Sequence, residues 1–363
     1  MPSFTFAGNK VAPGTTVDLR LPVSERYTGD AIHLPVRVVH AKKPGPKLFV
    51  TAAIHGEELN GMGVVHDLMW GEPIELERGT LALLPVVNIF GVETQSRYMP
   101  DRRDLNRCFP GSATGSLTAR VARTVFDALS PFDFGIDLHT AAALRTNFPN
   151  VRGDFTQAPI RRLAKAFGCE LMVNGKGPDG AFRREMVRAG CPTVVVEAGE
   201  PLKIEPGVLE TGLRGVRNVM RELGMLPGEP QLPGFQVRID KTAWVRATVG
   251  GILRFHVAPG QTVDEGQPIA TNASVFGEAN NVLEAPVSGV VLGMTTLPLV
   301  KPGEPVVHLA TLSGRQLSRL RKARREGADD AGARVRRHLA TNVSVSDVDA
   351  AEREVNPPAP DAD

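Results

Sequence analysis

The stretch LFVTAAIHGEELNG, residues 48–61, joins an apolar run to four polar positions and then to a segment of helical character. LFVTAAI reads as a buried strand, because a strand covered on both faces shows an almost unbroken apolar run. Gly56 lets the backbone bend where the strand stops. Helical spacing takes over from Gly61 to Met69. Outward from this stretch the same alternation repeats. TLALLPVVNIF (80–90), FDFGIDLH (132–139) and PTVVVEAG (192–199) are three further strand candidates. Thr118 to Leu129, with Thr118 as N-cap, Ile160 to Phe167 and Glu210 to Leu223 read as helices. Strands alternating with helices define an α/β sheet, mixed or mostly parallel, with helices on both faces. Each strand runs into polar groups: His55-Gly56-Glu57-Glu58, then Asn88, then Asp137-Leu138-His139, then Glu197. Ligands of open α/β sheets bind beyond the carboxyl ends of the strands. Parallel neighbours would therefore bring these groups to one crevice.

The chain has 363 residues, enough for two domains, and 42% of them are hydrophobic, enough for a large core. Its 42 Lys plus Arg against 40 Asp plus Glu leave a net charge of +2. That balance gives no electrostatic case for nucleic acid or a membrane surface as partner. Cys108, Cys169 and Cys191 are odd in number and widely spaced, as suits a reducing compartment. The start, MPSFTFAGNK, lacks a basic stretch followed by an apolar one, and no apolar run is long enough to span a bilayer. The expectation is a soluble, cytoplasmic protein.

Four segments follow from composition. Residues 1–45 are short β segments packed on the α/β domain, 46–226, and LPGEPQLPG then marks a linker. Residues 235–312 are β-like and contain a repeat: VGGILRFHVAPGQTVDEGQPIA (249–270) matches VSGVVLGMTTLPLVKPGEPVVHLA (287–310). Two such units bury their apolar faces only by pairing, which predicts a small β-sandwich. Residues 313–363 form a charged tail. Its basic part, RQLSRLRKARRE, suits an exposed helix, and its last ~20 residues have the composition of a disordered segment.

His55 and Glu58 are close enough in sequence to share a metal, although Glu57 rivals Glu58 on spacing alone. His139 is the best-placed third ligand. Two imidazoles and one carboxylate leave a position open for water, the pattern of a catalytic zinc site. Asp137 shares a strand face with His139 and could orient it from behind. SRYMPDRRDLNRCFPG (96–111) is an Arg-dense loop. Its guanidiniums either bind carboxylates and stabilise an oxyanion or simply pair with Asp101 and Asp104. Glu197, at the end of a buried strand, suits a general base or is a strand-end residue facing water.

HGEE (55–58), DLNRCFPG (104–111), DLHTA (137–141) and VEAGE (196–200), in that order, resemble the succinylglutamate desuccinylase/aspartoacylase family, relatives of the zinc carboxypeptidases. The resemblance covers roughly 45–225. It implies one zinc ion per chain, held by His55, Glu58 and His139, which settles Glu58 over Glu57. It implies that Asn106 and Arg107 grip a substrate carboxylate, that Arg97 polarises the scissile carbonyl and that Glu197 is the general base. The loop after His139, with Arg145, Asn147 and Arg152, also resembles the family's substrate-pocket segment. Asn88-Ile89 departs from the family's frequent Asn-Pro, and Arg102 stands where glycine is frequent. The C-terminal unit resembles a biotinyl/lipoyl-like sandwich. TNASVFGEANNVLE (271–284) holds no lysine, and Glu278 falls near the carrier-lysine position, so the unit is expected to be a cap or an oligomer contact. The resemblance thus implies a zinc-dependent hydrolase that cuts the amide of a small N-acyl amino acid. Rival expectations are a metallocarboxypeptidase acting on a peptide-like conjugate, a zinc esterase and a non-catalytic binding protein.

Overall fold

The computed structural model describes residues 2–277 and 281–326. The chain divides into two units: residues up to Ala143 together with Pro149–Arg238, and Leu144–Phe148 together with the chain from Ile239 onward. In chain order the elements begin with β1 (Phe4–Phe6), β2 (Asn9–Val11), β3 (Thr15–Glu25), β4 (Ala31–His40), β5 (Lys47–Ala52) and α1 (Leu59–Trp70). Then come β6 (Thr80–Leu84), α2 (Ile89–Glu93), α3 (Leu117–Leu129), β7 (Phe134–His139) and β8 (Arg145–Gly153). The first unit closes with α4 (Ala158–Phe167), β9 (Leu171–Asn174), α5 (Phe182–Arg188), β10 (Thr193–Gly199), α6 (Pro206–Glu222) and β11 (Val237–Ile239).

Its sheet runs β8–β10–β7–β5–β6–β4–β3. The four central strands are parallel, as β10 pairs with β7, β7 with β5 and β5 with β6. The strands β4 and β3 add on antiparallel, which makes the sheet mixed. Side chains alternate across the pleat. Leu48, Val50 and Ala52 pack with α1, α4 and α6 on one face, while Phe49 and Ile54 pack with α3 and α5 on the other. Helices thus cover both faces, and the carboxyl ends of the parallel strands lie side by side.

Several expectations change in detail. The 80–90 run is strand only to Leu84. Pro85 has no N–H to continue a ladder, and the Asn88 side chain accepts from Gly91 N–H to cap α2. Ser116, not Thr118, caps α3, and the Thr118 hydroxyl and N–H instead bond Asp101. Residues 145–153, expected as loop, form β8. Its first half pairs with a later strand and its second half with β9, on either side of Pro149. Gly56 is needed for close approach rather than for its backbone angles, because a Cβ there would lie 1.8 Å from the carbonyl carbon of Gly91.

The second unit continues with β12 (Thr242–Arg246), β13 (Gly251–Phe255), β14 (Thr262–Val263), β15 (Pro268–Ala273) and β16 (Asn281–Glu284). It ends with β17 (Gly289–Thr295), β18 (Leu299–Val300), β19 (Pro305–Thr311) and α7 (Gly314–Glu326), which occupies the basic stretch. One sheet is β16–β15–β13–β18, and the other strands include β12–β19–β17 with β14 on β17. The sequence repeat becomes a strand exchange. The short β14 of the first copy pairs with β17 of the second, and the short β18 of the second pairs with β13 of the first. Gly266 (φ +78°) and Gly303 (φ +87°) turn the chain at matching places, where a side chain would be strained. Leu253, Phe255, Val291 and Leu309 belong to one core shared by strands of both sheets. Glu278 and residues 327–363 lie outside the described residues. Among the described residues no helix is long and apolar enough to cross a membrane.

Candidate metal centre

The end of β5 makes a tight corner. Ala53 adopts φ +51°, a left-handed conformation unusual for a residue with a Cβ, and it is fully buried. The corner hands His55 and Glu58 to the sheet's carboxyl edge just before α1 begins. His139 ends the neighbouring parallel strand β7. His55, Glu58 and His139 are all buried, and each offers a ligand atom within 4.8 Å of the others. Glu58 lies between the rings, with His55 Nδ1 2.6 Å from its Oε1 and His139 Nδ1 2.8 Å from its Oε2. Thr140 N–H also donates to Oε2, at 3.2 Å.

The outer ring nitrogens are held just as firmly. His139 Nε2 is 2.7 Å from Asp137 Oδ2, and His55 Nε2 is 3.1 Å from Asp104 Oδ1. Asp137 is fully buried and accepts the Thr51 hydroxyl at 2.8 Å. Asp104 also accepts Asn106 N–H at 2.8 Å and Arg97 Nη2 at 2.9 Å. An outer carboxylate that takes the Nε2 proton leaves Nδ1 as the lone-pair donor, the tautomer a metal-binding imidazole needs.

Electrostatics follow from crowding three carboxylates around two imidazoles. Burial pushes Glu58 up, but the charges and hydrogen bonds of His55 and His139 outweigh it and hold the carboxyl far below its ordinary value. Burial pulls both imidazoles down. The charges of Asp137 and Glu58 nevertheless raise His139 well above its usual value, and Glu58 and Asp104 raise His55. Asp104 is lowered against its own burial, by the hydrogen bond and charge of His55 and then by Arg97. Two imidazoles and a carboxylate converge, with carboxylates behind, so the donor set fits one divalent cation.

Of the other expected residues, Glu197 stands opposite His139 in the β10–β7 register, so both project from the same face. Its side chain is 17% exposed, with Arg152 Nη1 3.5 Å from Oε1. Arg97 Nη1 lies 3.7 Å from Glu58 Oε1. Asn106 points its side-chain oxygen at Phe182 N–H, 2.8 Å away, and Arg107 donates to the Asn106 carbonyl at 2.7 Å. Glu57 stands outside the ring cluster, its carboxyl pushed up by burial and then by the Glu58 charge. Arg145 belongs to the second unit, where its guanidinium lies 5.2 Å from the ring centre of Trp244. Of the two readings of the Arg-dense loop, the pairing one holds for Asp104, which binds Arg97, whereas Asp101 binds Thr118.

Sequence reasoning gave no role at the cluster to Asp104, and none at all to Arg183. Asp104 was visible only as a counter-ion, because nothing in the chain places it against His55, 49 positions away. Arg183 lies on α5, a short helix whose only sequence signals are Phe182 and Met186 four apart and Gly190 beyond its end.

A parallel-centred α/β unit with helices on both faces, carrying a buried His–Glu–His cluster at its carboxyl edge, defines the class of α/β proteins with a site able to hold one metal ion. The catalytic-domain signature of succinylglutamate desuccinylase/aspartoacylase matches residues 44–223. An N-alpha-acetyl-L-2,4-diaminobutyric acid deacetylase from Halomonas elongata is 30% identical over 266 residues, covering 69% of this chain and 78% of the relative. The chain belongs to the succinylglutamate desuccinylase/aspartoacylase family. Among solved structures, a succinylglutamate desuccinylase/aspartoacylase from Rhodobacter sphaeroides is 25% identical, with a TM-score of 0.71 over 81% of this chain and 95% of that one. The product-bound ectoine utilization protein EutE from Ruegeria pomeroyi shares the fold, at 24% identity and a TM-score of 0.73 over 82% of this chain and 95% of that one.

Proposed function

We propose that this chain is a zinc-dependent deacylase that hydrolyses the amide of an N-acyl amino acid. The observation that carries the proposal is the convergence of His55, Glu58 and His139, whose ligand atoms lie within 4.8 Å, with Glu197 in register beside His139. Zinc held by these three residues would supply a Lewis acid and a water acidified toward neutrality. The protein's own groups do the rest. Glu197 takes the proton of the attacking water and returns it to the departing amine nitrogen. Arg97, fixed by Asp104, donates to the oxygen that gains charge at the acyl carbon. Asn106 and Arg107 hold the substrate's carboxylate and set its register. Arg145 keeps its substrate-binding assignment from the family resemblance alone.

The second unit is proposed to be a biotinyl/lipoyl-like sandwich that caps the enzyme or joins copies of it, since 271–284 lacks a carrier lysine. A cytoplasmic location rests on three cysteines that are all free. The test is hydrolysis by zinc-loaded protein, with and without chelator, of N-acyl amino acids, short peptides and matched esters. Chelator-sensitive release of free amino acid from the N-acyl compounds is expected. Faster cleavage of peptides or esters, or activity indifferent to the chelator, overturns the proposal.

A further inference from the structure

The free edge of the first unit carries a knob and a hole that do not meet. The knob is the turn joining β3 to β4. Arg26 N–H donates to the Asp30 carbonyl at 2.8 Å, Gly29 N–H to the Arg26 carbonyl at 2.9 Å and the Thr28 hydroxyl to Asp30 Oδ2 at 2.6 Å. This tied turn holds Tyr27 entirely in solvent, the most exposed large hydrophobic side chain among the described residues. Tyrosine presented on a fixed turn loses little entropy when it is covered, and so serves as an anchor at interfaces.

The hole lies between the outer face of α1 and the edge strands of the sheet. It is a cavity of about 610 Å³ whose walls include Leu19, Met62, Trp70, Val86, Ile204 and Leu209. Trp70 and Ile204 are exposed, so the cavity opens to solvent. Its walls are fixed by Arg37. That guanidinium lies 4.9 Å from the Trp70 ring centre, bonds both carboxylate oxygens of Asp18 at 2.7 Å and donates to the Met69 carbonyl.

One chain cannot join the two. Arg20 is the last residue of β3 in the cavity wall, and Tyr27 lies roughly 20 Å further along at ~3.3 Å per residue. A second copy can. Among the described residues β3 is the outermost strand of its sheet and pairs only with β4. Knob and hole both lie along this edge. A two-fold axis midway between them therefore seats both tyrosines at once, with the two β3 strands antiparallel. The charges agree. Glu25 and Arg26 precede Tyr27, while Arg20 and Asp67 stand in the cavity wall, so Glu25 can meet Arg20 and Arg26 can meet Asp67. The size agrees as well. A tyrosine and the wall it covers bury roughly 400 Å² per seat, and two seats with the strand edges between them pass the ~1,200 Å² at which specific dimers begin.

We propose that this chain forms a two-fold dimer in which Tyr27 of each copy fills the cavity beside α1 of the other. The dimer is independent of the zinc chemistry and of the second unit.

The test is sedimentation of the zinc-loaded full-length protein, which should show twice the chain mass at ~10 μM. Tyr27→Ser and Ile204→Glu should each raise the dimer dissociation constant at least ~100-fold, because each empties or spoils both seats. An equimolar mixture of the two variants should dimerise more tightly than either alone, since the mixed pair keeps one intact seat. Arg20→Glu should also weaken the dimer, and adding Glu25→Arg should restore it. Should Ile204→Glu fail to fold, the Arg20 and Glu25 exchange decides. A wild type that is monomeric at ~100 μM, a dimer untouched by Tyr27→Ser or a mixture no tighter than its parts overturns the proposal. So does an open-ended series of larger assemblies, or a small apolar molecule held in the cavity of a monomer, seen by native mass spectrometry.

Discussion

The His55–Glu58–His139 cluster and the Arg152–Arg183 corner belong to the same unit and answer burial in opposite ways. In the cluster every ring nitrogen has a carboxylate partner, and each histidine bridges an inner and an outer acid. In the corner one guanidinium nitrogen is buried and unanswered. The cluster gathers negative groups around a space suited to a cation. The corner sets the Arg183 guanidinium near that of Arg152 and near the Glu197 carboxylate. Glu197 joins the two, in register with His139 and in contact with Arg152. Polar burial alone thus does not say what a site wants. The sign and completeness of its hydrogen bonding do.

Three substitutions can break or sharpen this contrast. His139→Ala should have the largest effect, because it removes one of the three residues proposed to hold the metal and takes a partner from both Glu58 and Asp137. Bound zinc, measured by elemental analysis, should fall from one equivalent toward none, and kcat/KM should fall at least ~1000-fold. Full zinc occupancy in that variant would show that the cluster is not the metal centre. Glu197→Gln should keep zinc and lose at least ~100-fold in kcat, as expected for a general base. Near-normal turnover would leave Glu197 as a mere neighbour of Arg152. Asp104→Asn should be mildest, since it weakens the support of His55 and Arg97 from behind. Zinc affinity by competition with a chelator should drop ~10–100-fold. An unchanged affinity would confine Asp104 to capping its own turn.

Much of this unit was legible in order of sequence. Buried parallel strands announce themselves as apolar runs, and β5, β7 and β10 stand within two residues of the runs at 48–54, 132–139 and 192–199. The polar groups at their ends were legible for the same reason. Elements whose pattern is interrupted were not. Pro149 hid β8, although its side chains alternate between buried and less buried positions. The short α5 carries too few turns to show a period, and with it Arg183 went unseen. The repeat of the second unit was visible, but not that β14 and β18 trade partners between its copies.

The sequence by itself determined the strand–helix alternation, the two histidines and carboxylate at strand ends and the duplicated β segment, because each is a local pattern of burial and backbone chemistry. Only the tertiary structure decided that Asp104 backs His55, that the Glu58 carboxylate sits between the two rings and that Arg183 Nη1 is left without an acceptor. Those facts depend on parallel register and on loops meeting across tens of residues, and no local periodicity encodes which distant donor meets which acceptor.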